Sequence, residues 1–272
     1  MTSIYKALVS LEQENKAAVL CTIIRSQGST PRHSTSKMLV YPDGQIIGTI
    51  GGGEMESRVI VEAIQAMAEG NPRLLAYNMT DPSRGDPGVC GGQVEIFVEP
   101  VIPKPTLLLI GGGHVGKSLA HLADWLGFHV VINDDRPEFC NPQAVPEAKQ
   151  FFPVSIQQML TEFEINQWTF VVLVTRGSLV DVEGLPFLLD MPARYIGVIG
   201  SRRRWEITRK GLLAKGVPED KLQRVISPIG IELNAETPEE IAVSIMAEVL
   251  MVYRRGTGKA MSVNPEASIS SE

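Results

Sequence analysis

Cysteine is scarce in this 272-residue sequence, and its three copies stand far apart at Cys21, Cys90 and Cys140. An odd, scattered set argues against a disulfide framework and supplies no ligand pair at zinc spacing. Reduced thiols in the cytoplasm are the simplest setting for it. Positive charge is not in excess either: 25 Lys and Arg face 31 Asp and Glu, for a net charge of −6. Nucleic-acid binders present a basic face, so this balance argues against that class. Long apolar runs are missing as well. Stretches such as FVVLVT are far too short to span a bilayer. The opening MTSIYKALVSLEQENK lacks the basic start and apolar core of a signal peptide. These absences lead us to expect a cytoplasmic protein with no nucleic-acid or membrane partner. What remains is an ordinary globular composition, 44% hydrophobic and 21% charged, at a length suited to about two domains.

A proline cluster marks the seam. Pro100, Pro103 and Pro105 precede a very apolar segment, TLLLIGGG, and prolines of this density suit an extended linker. The expected organisation is an α+β domain over residues 1–101, a Rossmann-like domain over 105–255, and a polar, disordered tail over 256–272. The first half reads as a helix over about 4–15, the strand AAVLCTIIRSQG, and a hairpin turning at Asp43 and Gly44. A second helix follows, with Glu54 and Glu56 at its start and Gly70 and Pro72 at its end. Further strands complete a largely antiparallel sheet. The second half alternates strand and helix. Its strands TLLLIG, FHVVIND, TFVVLVT and RYIGVIGS are continuously apolar, which suits a doubly wound parallel sheet covered on both faces. SIQQMLTEFEI is expected to be one of the intervening helices. TPEEIAVSIMAE opens the last one with a capping box of Thr237 and Glu240.

Between the first of these strands and its helix lies IGGGHVGKS, which fits two phosphate-binding patterns. As G-x-G-x-x-G it uses Gly111, Gly113 and Gly116; as a P-loop it ends in Lys117 and Ser118. Asp134 favours the first reading, because it lies about 20 residues on, at the end of the next strand, where a Rossmann acid meets a ribose. The later strands end in VTRG and VIGS without the carboxylate that a P-loop enzyme uses for magnesium. Asp134 could itself serve that role, so the P-loop keeps a foothold. His114 can reach into the crevice as a contact residue. The glycines could also serve close packing alone, and the pattern does not choose between a mononucleotide and a dinucleotide. Arg202, Arg203 and Arg204 follow the last strand, either as a solvated first turn or as phosphate or partner contacts.

The first half has three glycine-rich stretches of its own, SQGSTPRHSTSKM, GTIGGGE and GVCGGQ. Together they place Arg25, Arg32, Lys37, the amides of Gly51, Gly52 and Gly53, and Cys90 on loops. Cations beside an amide nest at a helix start suit an anionic phosphate ligand. A thiol at its reference pKa of about 8.5 is only a few per cent thiolate at neutral pH. Cys90 therefore needs a cation nearby, such as Arg84, to act as a ligand.

These stretches, taken with LLLIGGGHVGKSLA, DDRPEF, VTRG…D (the acid being Asp181), YIGVIGSRRR and SPIGIELNAETPEEIAVSIMAE, resemble the xanthine dehydrogenase accessory proteins of the XdhC/CoxI type. The resemblance runs through both halves in the family's order. It implies a chaperone rather than a catalyst: a protein that transiently binds molybdenum cofactor, supports its sulfuration and delivers it to a molybdenum hydroxylase such as xanthine dehydrogenase. By that similarity Cys90, with Gly91 and Gly92, contacts the cofactor and supplies a thiolate to molybdenum. Arg32, Lys37 and the glycines 51–53 surround its phosphate and pterin. The Rossmann half resembles a nucleotide-binding or docking domain, and Gly111, Gly113, His114, Gly116 and Asp134 are its candidate site for NAD(P) or another adenine nucleotide. A cysteine desulfurase is a candidate further partner. A homodimer is the expected assembly, since two-fold dimers are the commonest oligomers. The sequence departs from the family pattern at Thr35 and Asn234, where glycine is usual, at Glu54, where many members have cysteine, and at Ser178, where histidine is usual. Two other readings stay open: an NAD(P)-dependent oxidoreductase using the second half, and a nucleotide-sensing scaffold.

Overall fold

The computed structural model describes residues 3–29, 34–80, 87 and 91–261. The chain divides into two compact units, Met1–Pro103 and Lys104–Glu272. Of the expected tail, residues 262–272 lie outside the described residues.

The first unit is built on helices α1 (Ile4–Gln13) and α2 (Gly53–Glu69) and strands β1 (Ala18–Gln27), β2 (Lys37–Val40), β3 (Ile46–Gly48), β4 (Arg73–Asn78) and β5 (Gln93–Val101). Its sheet has the order β3-β2-β1-β5-β4, and every neighbouring pair is antiparallel. In α2, Met55, Val59, Ala63, Ala66 and Met67 recur at helical spacing and are all buried, with β1 and β5 beneath them. Gly70 ends this helix in the left-handed conformation, φ 73°, that glycine adopts without a Cβ clash. α1 buries Ala7 and Leu11 against Ala18 and Leu39. Cys21 is fully buried within β1, and burial pushes its thiol up to about 12, which leaves it inert.

The second unit holds the parallel strands β6 (Thr106–Ile110), β7 (His129–Asn133), β8 (Gln150–Phe152), β9 (Thr169–Leu173), β10 (Tyr195–Val198) and β11 (Val225–Ile226). Their order, β11-β10-β9-β6-β7-β8, is doubly wound, with chain direction across the sheet reversing between β6 and β9. Every residue of β6 and β9 is buried, which accounts for their unbroken apolar character. Leu107 and Leu109 point into one core, under α3 (His114–Trp125) and α8 (Pro238–Arg254). Leu108 and Ile110 point into the other, under α4 (Ile156–Met159), α5 (Ser178–Leu189) and α6 (Arg202–Ala214). A short helix α7 (Glu219–Leu222) precedes β11.

The structure departs from the sequence reading in the segment 155–165. The expected helix forms one turn only, α4, capped by the Ser155 hydroxyl accepting from the Gln158 amide. The Thr161 hydroxyl then donates to the Gln158 carbonyl at 2.7 Å, a local bond that competes with helix continuation. Phe163 and Ile165 still reach the core, but from irregular backbone. The short edge strands β8 and β11, three and two residues long, carry no sequence signal of their own.

Around α8 the expected capping box forms: Thr237 Oγ1 accepts from the Glu240 amide at 3.2 Å, and Glu240 Oε2 accepts from the Thr237 amide at 3.1 Å. Thr237→Ala is expected to lower unfolding free energy by about 1 kcal/mol. Denaturant unfolding at constant m-value checks this, and an unchanged midpoint contradicts it.

Candidate functional site

The crevice of the second unit opens at the carboxyl ends of β6, β7 and β9. β6 ends at Ile110, and the chain must then turn sharply into α3. Gly111 makes the turn with φ +117°; a Cβ there would lie 2.7 Å from the Val174 carbonyl oxygen. A Cβ on Gly112 would lie 2.0 Å from the Phe139 carbonyl oxygen, and one on Gly116 would lie 2.1 Å from the Gly111 carbonyl oxygen. These three glycines are demanded by the fold itself. Gly113, the N-cap of α3, is not: its φ is −69° and a Cβ there would meet nothing within 4 Å. The one fingerprint glycine without a packing reason is the one at which a nucleotide phosphate approaches the backbone most closely. An open cradle at a helix N-terminus fits a phosphate group.

Asp134 follows β7 with its side chain only 2% exposed. Its Oδ2 accepts from the Gly112 amide at 3.0 Å and from Arg136 Nη2 at 2.8 Å; its Oδ1 accepts from the Arg136 amide at 3.1 Å and from Arg136 Nε at 2.9 Å. Burial works to raise its pKa, but the bonds from Arg136 and Gly112 outweigh it and hold the carboxyl below its ordinary value. The Arg136 guanidinium in turn lies 4.0 Å over the Phe139 ring. The carboxylate expected to meet a ribose is thus engaged within the chain.

Beside the glycine turn is a cavity of about 250 Å³, walled by the ends of β6, β7 and β9 and by residues of α4 and α5. Val180 and Phe187 supply apolar wall, and Ser155, Gln157 and Glu183 supply polar groups. Asp135 and Arg176 also line it. They form a two-toothed ion pair, Oδ1 to Nη1 at 2.6 Å and Oδ2 to Nη2 at 2.9 Å, with both side chains about half exposed. Lys117 and Ser118 belong elsewhere: with His121, Leu122, Glu239 and Val243 they line a separate groove between α3 and α8. The Ser118 hydroxyl donates back to the His114 carbonyl. With the acid engaged by Arg136 as well, the P-loop reading loses both its lysine and its magnesium ligand. His114 is exposed at the start of α3.

Behind the cavity lies a network that sequence reasoning missed. Asp181, fully buried in the first turn of α5, accepts from the Thr175 hydroxyl and, at 2.8 Å, from Arg204 Nη2. Arg204 also donates to the Thr175 carbonyl. Of the three consecutive arginines, Arg204 turns inward to hold β9 and α6 together, while Arg202 and Arg203 are exposed. The resemblance includes this Asp, as the acid of VTRG…D, but a lone carboxylate four residues after the turn carries no spacing that would reveal its buried role.

In the first unit, antiparallel topology sends three glycine-rich loops to one end of the sheet. The carboxyl ends of β1 and β3 and the amino ends of β2 and β5 all lie there. Arg32, Arg84 and Cys90 fall outside the described residues. Their neighbours are described: a Cβ on Gly28 would lie 3.1 Å from the Gly91 carbonyl oxygen and 3.2 Å from Gly92 Cα, so these two loops touch. Gly91 has φ +79°, and the Met79 amide donates to the Gly92 carbonyl at 2.9 Å. Three expected loop groups are placed differently. Arg25 is inside β1, 3.4 Å from Glu95; Lys37 opens β2 and donates to Thr22 Oγ1 at 2.9 Å. The amide of Gly52 donates to Glu56 Oε2 at 3.2 Å, and that of Gly51 to Thr49 Oγ1 at 3.1 Å. The chain's own carboxylate fills the nest that was expected to take a phosphate, because Glu56 lies one helical turn beyond it.

Two family models match the chain. The XdhC and CoxI family matches residues 11–78, and the XdhC Rossmann domain matches residues 107–249, more than half of the chain. The chain belongs to the XdhC family. YqeB of Escherichia coli, named an uncharacterized protein, is 37% identical over 264 residues and covers 95% of this chain. The XdhC-family chain spans only 48% of YqeB's length. A Bacillus subtilis protein, named a probable subunit of xanthine dehydrogenase, is 26% identical over 94% of this chain and 99% of its own length. A crystal structure of a protein named a xanthine dehydrogenase, from Bacillus halodurans, shares the fold at a TM-score of 0.50 and 24% identity, over 97% of this chain and 98% of that one.

The departures of this XdhC-family chain from its pattern have structural counterparts. Thr35 and Asn234, standing where glycine is usual, both have positive φ, 78° and 53°. Asparagine tolerates that region, whereas a β-branched threonine is strained there. Glu54 pairs with Arg58 one turn along α2, and Ser178 opens α5. Among the described residues no three His, Cys, Asp or Glu side chains gather to hold a metal ion, and no helix is long and apolar enough to cross a membrane.

Two outcomes follow from the crevice. Gly116→Ala is expected to lower the thermal midpoint strongly through its backbone clash, whereas Gly113→Ala costs only the modest preference for glycine over alanine at an N-cap and weakens the binding of phosphate-bearing ligands; equal effects on stability would contradict this division of roles. Asp134→Asn tests the carboxylate. Its native pKa is depressed, so the stabilisation it provides is complete above the unfolded value of about 3.9 and is lost as pH falls through the native value. The stability gap between wild type and Asp134→Asn, from denaturant unfolding, is therefore wide at neutral pH and narrows below about pH 4. A gap independent of pH contradicts it.

Proposed function

We propose that this chain binds molybdenum cofactor in its first unit and hands it to a molybdenum hydroxylase of the xanthine dehydrogenase type, while its Rossmann unit binds a nucleotide. The observation that carries the proposal is the meeting of Gly28 with Gly91 and Gly92 at the sheet end to which all three glycine-rich loops run. Cys90 is bonded directly to Gly91. A soft thiolate suits molybdenum or its sulfur, and one protein thiol suffices where the cofactor's own dithiolene occupies the metal. With Gly51 and Gly52 engaged internally, phosphate contacts rest on Lys37, whose ammonium gives one of its three donors to Thr22, and on Arg32. The Bacillus subtilis relative supports xanthine dehydrogenase as the kind of protein served.

Carriage is favoured over hydride chemistry in the second unit. The described residues lining its cavity include Ser155, Gln157 and the Asp135–Arg176 ion pair, hydrogen-bonding and ion-pairing groups suited to holding a ligand. Bound nucleotide would lay its phosphate on the amide end of α3 at Gly113.

The test is co-expression with cofactor biosynthesis, followed by assay of molybdenum and pterin in the purified protein. Both are expected with the wild type and are expected to fall in Cys90→Ser, in keeping with loss of one soft ligand. Retention of both by Cys90→Ser refutes the thiol's role; absence of both from the wild type refutes the carrier.

A further inference from the structure

A Rossmann acid reads a ribose by accepting from its 2′- and 3′-hydroxyls, and that takes free lone pairs. Asp134 has none to give. Its two oxygens accept four hydrogen bonds, from Gly112 and from three donors of Arg136, and its side chain is sealed from solvent. Breaking these bonds would leave a buried carboxylate and a guanidinium unpaired and would release the glycine turn. This acid is a structural tie.

The next residue has the properties that Asp134 lacks. Asp135 lines the cavity, is half exposed, and has as its side-chain partner Arg176, from the far side of β6. Because β6 lies between β7 and β9, the Asp135–Arg176 pair runs across the end of β6, beside the glycine turn. Both side chains are about half exposed, so solvent screens the pair, and a ligand that offers a donor to the carboxylate and an acceptor to the guanidinium replaces each half in kind. A nucleotide brings the matching groups: a ribose diol to donate to the carboxylate, and a phosphate to accept from the guanidinium.

We propose that the crevice selects nucleotides with a free ribose 2′-hydroxyl, that Asp135 rather than Asp134 reads that ribose, and that binding opens the Asp135–Arg176 pair to give Arg176 to the phosphate. The proposal rests on the nucleotide reading of the crevice. Charge sets the discrimination. The acids that face the cavity are Asp135 and Glu183; Arg176 is already paired with Asp135, and Arg136 is taken up by the buried Asp134. A 2′-phosphate adds two negative charges beside Asp135 and Glu183, which like-charge repulsion disfavours.

Calorimetric titration of the full chain with AMP, 2′-deoxy-AMP, adenosine 2′,5′-bisphosphate and NAD tests this. The wild type is expected to bind AMP about tenfold or more tighter than either analogue, the scale of a hydrogen bond to a charged group. Asp135→Asn is expected to bind AMP about tenfold more weakly and to lose the preference over 2′-deoxy-AMP. Asp134→Asn, if folded, is expected to keep that preference. Two results overturn the proposal alone: a wild type that binds AMP without preferring it to both analogues, and an Asp135→Asn variant that keeps the preference. A wild type that binds neither AMP nor NAD overturns the nucleotide reading and this proposal with it.

Discussion

Asp134 accepts four hydrogen bonds from a position almost closed to water, and the row of strand ends around the crevice is tied through it. Its bond from the Gly112 amide joins the end of β7 to the glycine turn after β6. Next to it the Gly111 amide donates to the Asn133 carbonyl at 2.8 Å, and the Asn133 side chain donates to the carbonyls of Phe152, the last residue of β8, and Val154 just after it. Three consecutive strand ends become one fixed rim. That rim sets the amide end of α3 against open space at Gly113, and it presents Asp135 and Arg176 to the cavity. On the other side, the Asp181–Thr175–Arg204 network fixes β9 and α6 in the same manner. Charges buried in this way are costly unless fully paired, and here both carboxylates are paired and hydrogen-bonded.

The first unit works by topology instead. Five antiparallel strands carry α2 on one face, and hairpin geometry returns every second connection to the same end. The loops after β1 and β3 and before β5 therefore converge although they are distant in sequence. The close approach of the two loops leaves little room for a side chain on Gly28, whereas Gly91 has open space around it and owes its glycine to a φ of +79°. Glu56 shows how such a loop is held ready: the amides of Ile50 and Gly52 are already spent on an internal carboxylate, so the turn keeps its shape without a ligand.

Much of this architecture was legible in the residues. Continuous apolar strands alternating with amphipathic segments specify a parallel sheet covered on both faces, and Thr237 with Glu240 specifies the start of α8. The glycine fingerprint located the crevice. What the sequence concealed was which acid is free. Asp134 has the expected spacing, but only coordinates show that Arg136, two residues on, folds back to occupy it. Helical spacing over 155–165 was misleading for a similar reason, because apolar residues at i, i+3, i+4 and i+7 can reach one core from irregular backbone. The family's glycine positions at Thr35 and Asn234 become intelligible through their positive φ, which no property of a single sequence displays.

The most direct test of the crevice as a nucleotide site is residue-resolved amide hydrogen exchange of the full chain with and without NAD. The account predicts slowed exchange at residues 111–114 and at 135–136 and 175–177, with the α3–α8 groove around Lys117 and His121 unchanged. Protection confined to that groove, or none anywhere in the second unit at saturating nucleotide, would contradict it.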